Sequence, residues 1–217
     1  MPSPAKTTKS SARRGRRQGE PVSRDAVLAA ANRRFAQDGY EKATLRAIAD
    51  DARVDPSMVL YLFGSKAELF RESLQLLIDP SVLVSALSGD SGEDDDVDVG
   101  TRLIRVYLRI WESPDTGPSM VTMLQSATSN ADAHDAFREF IQQYVLTAVA
   151  GVLGGDDHAR LRAMFAATSL VGTALMRYVL RVPPLADLTG AELERILAPT
   201  ITRYLTADAE ELGLPGQ

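Results

Sequence analysis

The chain has 217 residues, of which 45% are hydrophobic, and carries 24 basic and 29 acidic side chains for a net charge of −5. This apolar fraction is sufficient for a buried core and excludes disorder of the whole chain. The chain has no cysteine, which excludes disulfides and thiolate sites, and no apolar run long enough for a secretory signal or a membrane span, so we expect a cytoplasmic protein.

Residues 1–22 are rich in Ser, Pro, Lys and Arg without apolar periodicity, which predicts a basic arm that is disordered when free. Arg16 and Arg17 of this arm are candidate contacts to DNA, along phosphates or in a minor groove; a solubilising tail is the alternative. Through residue 66 the chain has 13 basic and 7 acidic side chains, and the remainder has 11 and 22. A basic head on an acidic body directs only one end toward a polyanion.

Four helices with separate start signals follow the arm. They are predicted from Ser23 to Gly39, Leu45 to Ala52, Pro56 to Phe63, and Lys66 to Ile78. Asp55 followed by Pro56 is typical of a helix start, because the carboxylate accepts from free N–H groups and proline has a preset φ. Small and apolar residues such as Ala49 fall where the second and third helices would cross. This pattern predicts a DNA-binding helix-turn-helix, with an ordinary helical hairpin as the alternative.

The segments AIADDARVDPSMV at 47–59 and FGSKAELF at 63–70 resemble the tetracycline-repressor (TetR) family of transcriptional regulators. WESPDTGP at 111–118 and RYVLRVPPLA at 177–186 resemble one C-terminal subgroup of it. The resemblance implies an all-α homodimer with a DNA-binding head, a linking helix and a larger body for a small effector. We predict a head over 23–66, a body over 67–207 and a tail over 208–217.

The chain departs from the family pattern at the turn and at the end of the third helix. Arg53 stands at the turn position where the family usually has Gly, so a left-handed backbone there would cost about 1 kcal/mol. The third helix of the family usually ends in a Tyr or His pair before its final Phe, whereas this chain has Leu60, Tyr61 and Leu62 there. Tyr61 is therefore the remaining aromatic contact to the DNA backbone.

The predicted DNA contacts lie on the second and third helices and at the start of the fourth. They are Thr44, Arg46, Pro56, Ser57, Met58, Tyr61 and Lys66. Ser57 and Met58 are the candidates for base edges, and Met58 suits a thymine methyl group. The resemblance implies backbone contacts for Tyr61 and Lys66. Because the third helix has no Arg, Asn or Gln, DNA shape is expected to contribute to specificity.

The rest of the chain reads as further helices. After a short apolar segment from Pro80, six acids between Asp90 and Asp98 predict a solvated loop. A calcium site is the alternative, but the run lacks the Gly and the terminal Glu of an EF-hand loop at their required positions. Helices are then predicted over residues 101–112, 119–129, 132–153 and 157–181, and a last one after Thr189 that Pro199 should kink. The run GGDD at 154–157 is interpreted as a turn with a helix cap and not as a metal pair.

An apolar pocket between the body helices is predicted from the aromatic and methionine side chains. The candidates are Tyr107, Trp111, Met120, Met123, Phe137, Phe140, Tyr144, Met164 and Phe165. They indicate an apolar or aromatic effector, although an ordinary core would use the same residues. No cofactor or metal site is predicted.

The sequence therefore predicts a dimeric repressor that a small effector releases from a palindromic double-stranded DNA operator. The last two helices would form the dimer interface by resemblance, or could pack within one subunit. A protein-interaction scaffold that has lost DNA reading is the alternative function. An enzyme is disfavoured, because no catalytic triad, metal cluster or phosphate loop is visible.

Overall fold

The computed structural model describes residues 23–89, 97–154 and 157–215, which form helices and contain no strand. This confirms the all-α prediction. The helices are α1 (Arg24–Lys42), α2 (Leu45–Ala52), α3 (Pro56–Phe63), α4 (Lys66–Gln75), α5 (Pro80–Ser88), α6 (Val99–Glu112), α7 (Gly117–Ser129), α8 (Ala131–Phe140), α9 (Thr147–Val152), α10 (Asp157–Ala174) and α11 (Gly190–Thr206). The basic arm, most of the acidic loop and the middle of the GGDD run lie outside the described residues.

The head helices begin where the capping signals place them. Thr44 Oγ1 accepts a hydrogen bond from the Ala47 N–H at 3.1 Å, and Asp55 Oδ1 accepts from Ser57 N–H at 2.8 Å. The bounds of α2 and α3 therefore agree with the prediction. Arg53, between them, has φ 57° and ψ 42°, the left-handed backbone expected at this turn.

The ends of the first and fourth helices differ from the prediction. Gly39 interrupts α1 with φ 73°, as expected of a helix stop, but the chain resumes a helical turn as far as Lys42. Helix α4 ends at Gln75, three residues before the predicted Ile78, and Ile78 N–H still donates to Leu74 O at 2.9 Å.

The body helices are more broken than predicted. The apolar segment after Asp79 is the helix α5. The predicted helix over 132–153 is divided by a π-helical segment at Ile141–Leu146, and α10 continues into another at Leu175–Val179. Helix α11 runs through Pro199, which lies on its exposed side.

Head and body share one core. Helix α7 packs on α1, and α8 packs on α4. Phe35 and Phe70 meet edge to face at 5.0 Å between ring centroids, and Met123 and Phe140 join the same fully buried cluster from the body. The Tyr40 N–H also donates to Ser126 Oγ at 3.0 Å. The head is therefore held on the body by apolar packing that excludes water.

A second core lies between α5, α6, α9, α10 and α11. It depends on a close approach of α6 to α11, where Gly100 N–H donates to Thr202 Oγ1 at 3.1 Å. A Cβ at Gly100 would lie 2.2 Å from Ala198 O. Glycine at this position therefore sets how closely α6, which carries the candidate effector residues Tyr107 and Trp111, packs on α11.

Candidate nucleic-acid interface and effector cavity

Helix α3 turns one face to the core and the other to solvent. Val59 and Phe63 are buried, whereas Ser57, Leu60 and Tyr61 are exposed, Tyr61 to 83%. The exposed residues follow the i, i+3, i+4 spacing of a single helix face. Leu60, which the sequence interpretation left out, shares this face with Ser57 and Tyr61. Its signal was the helical period itself.

The predicted base-edge candidates differ in their accessibility. Ser57 is exposed, and its hydroxyl donates to Asp55 Oδ1 at 2.6 Å, which together with the Ser57 N–H bond lowers the pKa of the Asp55 carboxyl. The serine oxygen therefore faces solvent as an acceptor. Met58 and Pro56 are half-buried and lie at the edge of the exposed face.

The residues predicted to contact the DNA backbone lie at the start of α2 and the start of α4. Thr44 and Arg46 are exposed at the start of α2. Lys66 lies 4.4 Å from the centroid of the Tyr40 ring, and its ammonium donates to Glu41 O at 3.2 Å. Burial lowers the pKa of the Lys66 ammonium. Lys66 thus joins the start of α4 to the end of α1, while Arg16 and Arg17 lie outside the described residues.

An acidic residue of α2 is neutralised from α1. Arg34 donates two hydrogen bonds to Asp51, from Nε at 2.5 Å and from Nη2 at 2.8 Å. These bonds hold the pKa of the Asp51 carboxyl below its usual range. A bidentate pair of this kind offsets the carboxylate charge that the head would otherwise bring toward phosphates.

A cavity of about 100 Å³ lies in the body. It is lined by Ile78, Leu83, Leu103, Val106, Tyr107, Ile110, Trp111, Met120, Leu124, Phe137, Ile141, Val145, Ala167, Leu170 and Val171. These side chains come mainly from α6, α7 and α10 and from the end of α8. No charged side chain occurs among these lining residues.

The structure brings four of the nine predicted effector residues to this cavity: Tyr107, Trp111, Met120 and Phe137. Met123 and Phe140 lie instead in the core shared by head and body. Met164 and Phe165 lie on the exposed side of α10, 40% and 41% exposed, and the Tyr144 side chain lies outside the described residues. The aliphatic lining residues were missed, because an apolar period indicates an inward face without telling a cavity wall from a filled core.

The two subgroup segments meet at one wall of the cavity. The Trp111 ring stacks on Tyr178 with centroids 5.2 Å apart, and Arg177 Nη2 donates to Glu112 Oε1 at 2.9 Å. The Tyr178 hydroxyl donates to the same oxygen at 3.1 Å, and burial raises the pKa of Tyr178 to about 12. These contacts fix the end of α6 to the π-helical end of α10.

Helix α10, the π-helical segment and the residue that follow it, and α11 expose several large apolar side chains. They are Met164, Phe165, Met176, Leu180 and Ile196, with Leu180 and Ile196 the most exposed at 57% and 58%. The Phe165 ring also stacks on Tyr204 of α11 at 5.6 Å. Apolar exposure on two adjacent helices is typical of a surface that a partner covers.

Two family models match the chain. The model described as "Bacterial regulatory proteins, tetR family" matches residues 27–73, and "Tetracyclin repressor-like, C-terminal domain" matches residues 98–205. A comparison with curated protein sequences gives no significant match. Within the described residues, no helix is long and apolar enough to cross a membrane.

Several solved structures are similar over most of the chain. A TetR-family regulator from Streptomyces coelicolor A3 is 32% identical with a TM-score of 0.62, and the match covers 88% of this chain and 99% of that one. The multidrug binding protein EbrR, solved with imidazole, is 18% identical with a TM-score of 0.58 over 88% and 99% of the two chains. The fatty acid degradation regulator FadR from Bacillus halodurans is also 18% identical, with a TM-score of 0.56 over 85% and 98%.

Proposed function

We propose that this chain, which belongs to the TetR family of bacterial transcriptional regulators, is a dimeric repressor. A small effector would release it from a palindromic operator. The observation that carries the proposal is the cavity, whose wall includes residues at the junction of the body with the head. One of the similar structures, the multidrug binding protein EbrR, was solved in complex with the small molecule imidazole, which supports a small-molecule role for a body of this architecture.

The DNA-binding half of the proposal places α3 in the major groove. Its exposed face offers the Ser57 oxygen as an acceptor and Leu60 as an apolar contact for a thymine methyl group. Tyr61 on the same face, and the exposed Thr44 and Arg46 at the start of α2, would contact phosphates, which fix register and carry no sequence information. Lys66 and the arm residues Arg16 and Arg17 remain proposed phosphate contacts.

Dimerisation is assigned to the exposed apolar face of α10 and α11. A C₂ dimer buries the same patch on both subunits, so one such patch per chain is sufficient. Two heads related by this axis would meet two half-sites about 34 Å apart, one turn of DNA, and the operator would share the two-fold symmetry.

The route from effector to DNA runs through two contacts. Ile78, which follows α4, lines the cavity, and so does Met120 of α7. Helix α7 is in turn bound to α1 through the Ser126 hydroxyl and the Tyr40 N–H. An effector that widens the cavity would displace the head through both contacts, and the separation of the two α3 helices would change. Such coupling requires a difference in effector affinity between the two arrangements.

Selection of bound duplexes from a random DNA library, at about 0.15 M salt to limit non-specific binding, tests the proposal. We expect enrichment of a two-fold symmetric site. A matched pair of exposed leucines supplies the control: Leu60→Ala should change the selected sequence, whereas Leu76→Ala, 54% exposed and outside α3, should not. No enriched sequence would favour the interaction scaffold over a repressor.

A further inference from the structure

We infer that Arg53, in the turn between α2 and α3, contacts a DNA phosphate at the rim of the major groove. The inference rests on the proposed function, because it adds a contact to the interface that places α3 in the groove. It goes further by assigning a role to a residue that lies outside both helices and by giving a reason for its strained backbone.

The first observation is that an arginine occupies a backbone conformation that suits glycine. Arg53 follows α2 with φ 57° and ψ 42°, in the left-handed region. Glycine adopts this region without a steric penalty, whereas a Cβ makes it unfavourable. The arginine therefore destabilises the turn relative to glycine. Residues held in such conformations cluster at functional sites, where the strain accompanies a role of the side chain.

The second observation is that the Arg53 side chain lies on the outer side of the turn without a partner. Its neighbours Ala52 and Val54 pack against the core of the head, whereas Arg53 is exposed. The next exposed acid, Asp55, accepts hydrogen bonds from the N–H and the hydroxyl of Ser57. Among the described residues, none forms an ion pair or a hydrogen bond with the Arg53 guanidinium. The guanidinium is therefore available to a group from outside the chain.

The third observation is the distribution of charge along the two helices. From residue 47 to residue 65, Arg53 is the single basic residue, against three acids. Asp51 is neutralised by Arg34, but Asp50 and Asp55 are exposed carboxylates on either side of Arg53 in the sequence. Carboxylates that approach a polyanion oppose binding, and a cation that neutralises a phosphate favours it. Arg53 is the residue of this segment that can supply that cation.

The position of the turn indicates which part of the DNA the guanidinium meets. In a docked helix-turn-helix the first helix crosses the backbone, and the second enters the major groove with its N-terminal residues. Arg53 lies between them, three residues before Pro56 begins α3, and so at the rim of the groove where the phosphates lie. A guanidinium can donate two parallel hydrogen bonds to phosphate oxygens. Arg53 is therefore a positioning contact that carries no base sequence information.

The affinity of Arg53→Gly for DNA tests the contact. It is measured by fluorescence anisotropy with the selected operator and with a random-sequence duplex, between about 0.05 and 0.2 M salt. We expect the affinity to fall about tenfold or more for both duplexes, the factor that a hydrogen bond to a charged group supplies. The slope of log affinity against log salt should become shallower by about 1, because one phosphate fewer is neutralised. A turn that was merely loosened would leave this slope unchanged.

Arg181→Gly is the matched control. Arg181 is the other described residue besides glycine with a positive φ, 54°, and it is also exposed, but it follows the π-helical end of α10 outside the head. Both glycine variants should unfold at a higher urea concentration, because both lose a strained Cβ. Arg53→Gly alone should bind DNA more weakly. Arg53→Lys, which keeps a positive charge, should keep the salt slope of the unmodified protein.

An unchanged affinity of Arg53→Gly, a loss without a change in the salt slope, or an equal loss in Arg181→Gly would overturn the inference. A loss confined to the operator would also overturn it, because Arg53 would then contact a base. The proposed function fails separately: it would be refuted if the unmodified protein bound neither duplex. Tight binding by the unmodified protein and by Arg53→Gly alike would refute the phosphate contact and leave the regulator intact.

Discussion

Replacement of Gly100 by alanine tests how closely α6 packs on α11. The new Cβ would lie 2.2 Å from Ala198 O, 2.4 Å from Thr202 Oγ1 and 2.7 Å from Thr202 N. Ordinary contact begins near 3.4 Å, so the helices must separate by about 1 Å. Overpacking of this kind costs about 1–3 kcal/mol, against at most about 0.5–1 kcal/mol gained by replacing glycine in a helix. We therefore expect a net destabilisation of up to about 2.5 kcal/mol.

The assay is urea unfolding followed by circular dichroism, with Gly151→Ala as the control. Gly151 lies in α9, and a Cβ there meets nothing within 4 Å. Gly151→Ala should therefore stabilise the protein by about 0.5–1 kcal/mol, opposite in sign to Gly100→Ala. If both alanines stabilised the protein equally, α6 would not approach α11 as closely as described, and the position of the cavity wall that α6 carries would be wrong.

Three further results are expected. Arg53→Gly should raise the free energy of unfolding by up to about 1 kcal/mol in a urea titration, because glycine accepts the left-handed backbone without a Cβ penalty; a loss would contradict the strain. Asp51, whose pKa the Arg34 hydrogen bond depresses, should stabilise the head fully above its unfolded pKa of about 3.9 and progressively less as the pH falls through its lower folded pKa. The difference in the free energy of unfolding between Asp51→Asn and the unmodified protein should therefore become smaller below about pH 4. A difference that stayed constant with pH in acid unfolding would contradict this. Tyr61→Phe should lower the affinity for operator DNA and for random-sequence DNA by a similar factor of about 3–10, measured by fluorescence anisotropy, because a phosphate contact carries no sequence information. A loss of affinity confined to the operator would make Tyr61 a base contact.

Local signals in the sequence were sufficient for the starts of the four head helices, but not for the ends of α1 and α4. Side-chain caps act within three residues, so Thr44 and Asp55 define the starts of α2 and α3 without knowledge of the fold. The same signal, Asp79 before Pro80, begins α5 and could have been used to predict it. The π-helical segment at 141–146 was not predictable, because its apolar period does not differ visibly from that of an α-helix.

The effector cavity was only partly predictable from the sequence. Tyr107 and Met123 are both buried residues of predicted helices, yet one lines the cavity and the other fills the core between head and body. Phe165, equally apolar, lies on the exposed face of α10. The side chain's environment depends on the rotation and crossing of packed helices, which are set by tertiary contacts and not by residue type.

The most direct test of effector-controlled DNA release places a ring in the cavity covalently. The chain has no cysteine, so Ala167→Cys gives a single thiol on the cavity wall, which a benzyl thiosulfonate converts to a benzyl disulfide. Gln143→Cys, exposed and absent from the lining, is the control. The affinity for the selected operator should fall about 5- to 150-fold on labelling Cys at 167 and stay unchanged on labelling at 143. An unchanged operator affinity while Trp111 fluorescence reports the ring inside the cavity would contradict the proposed mechanism.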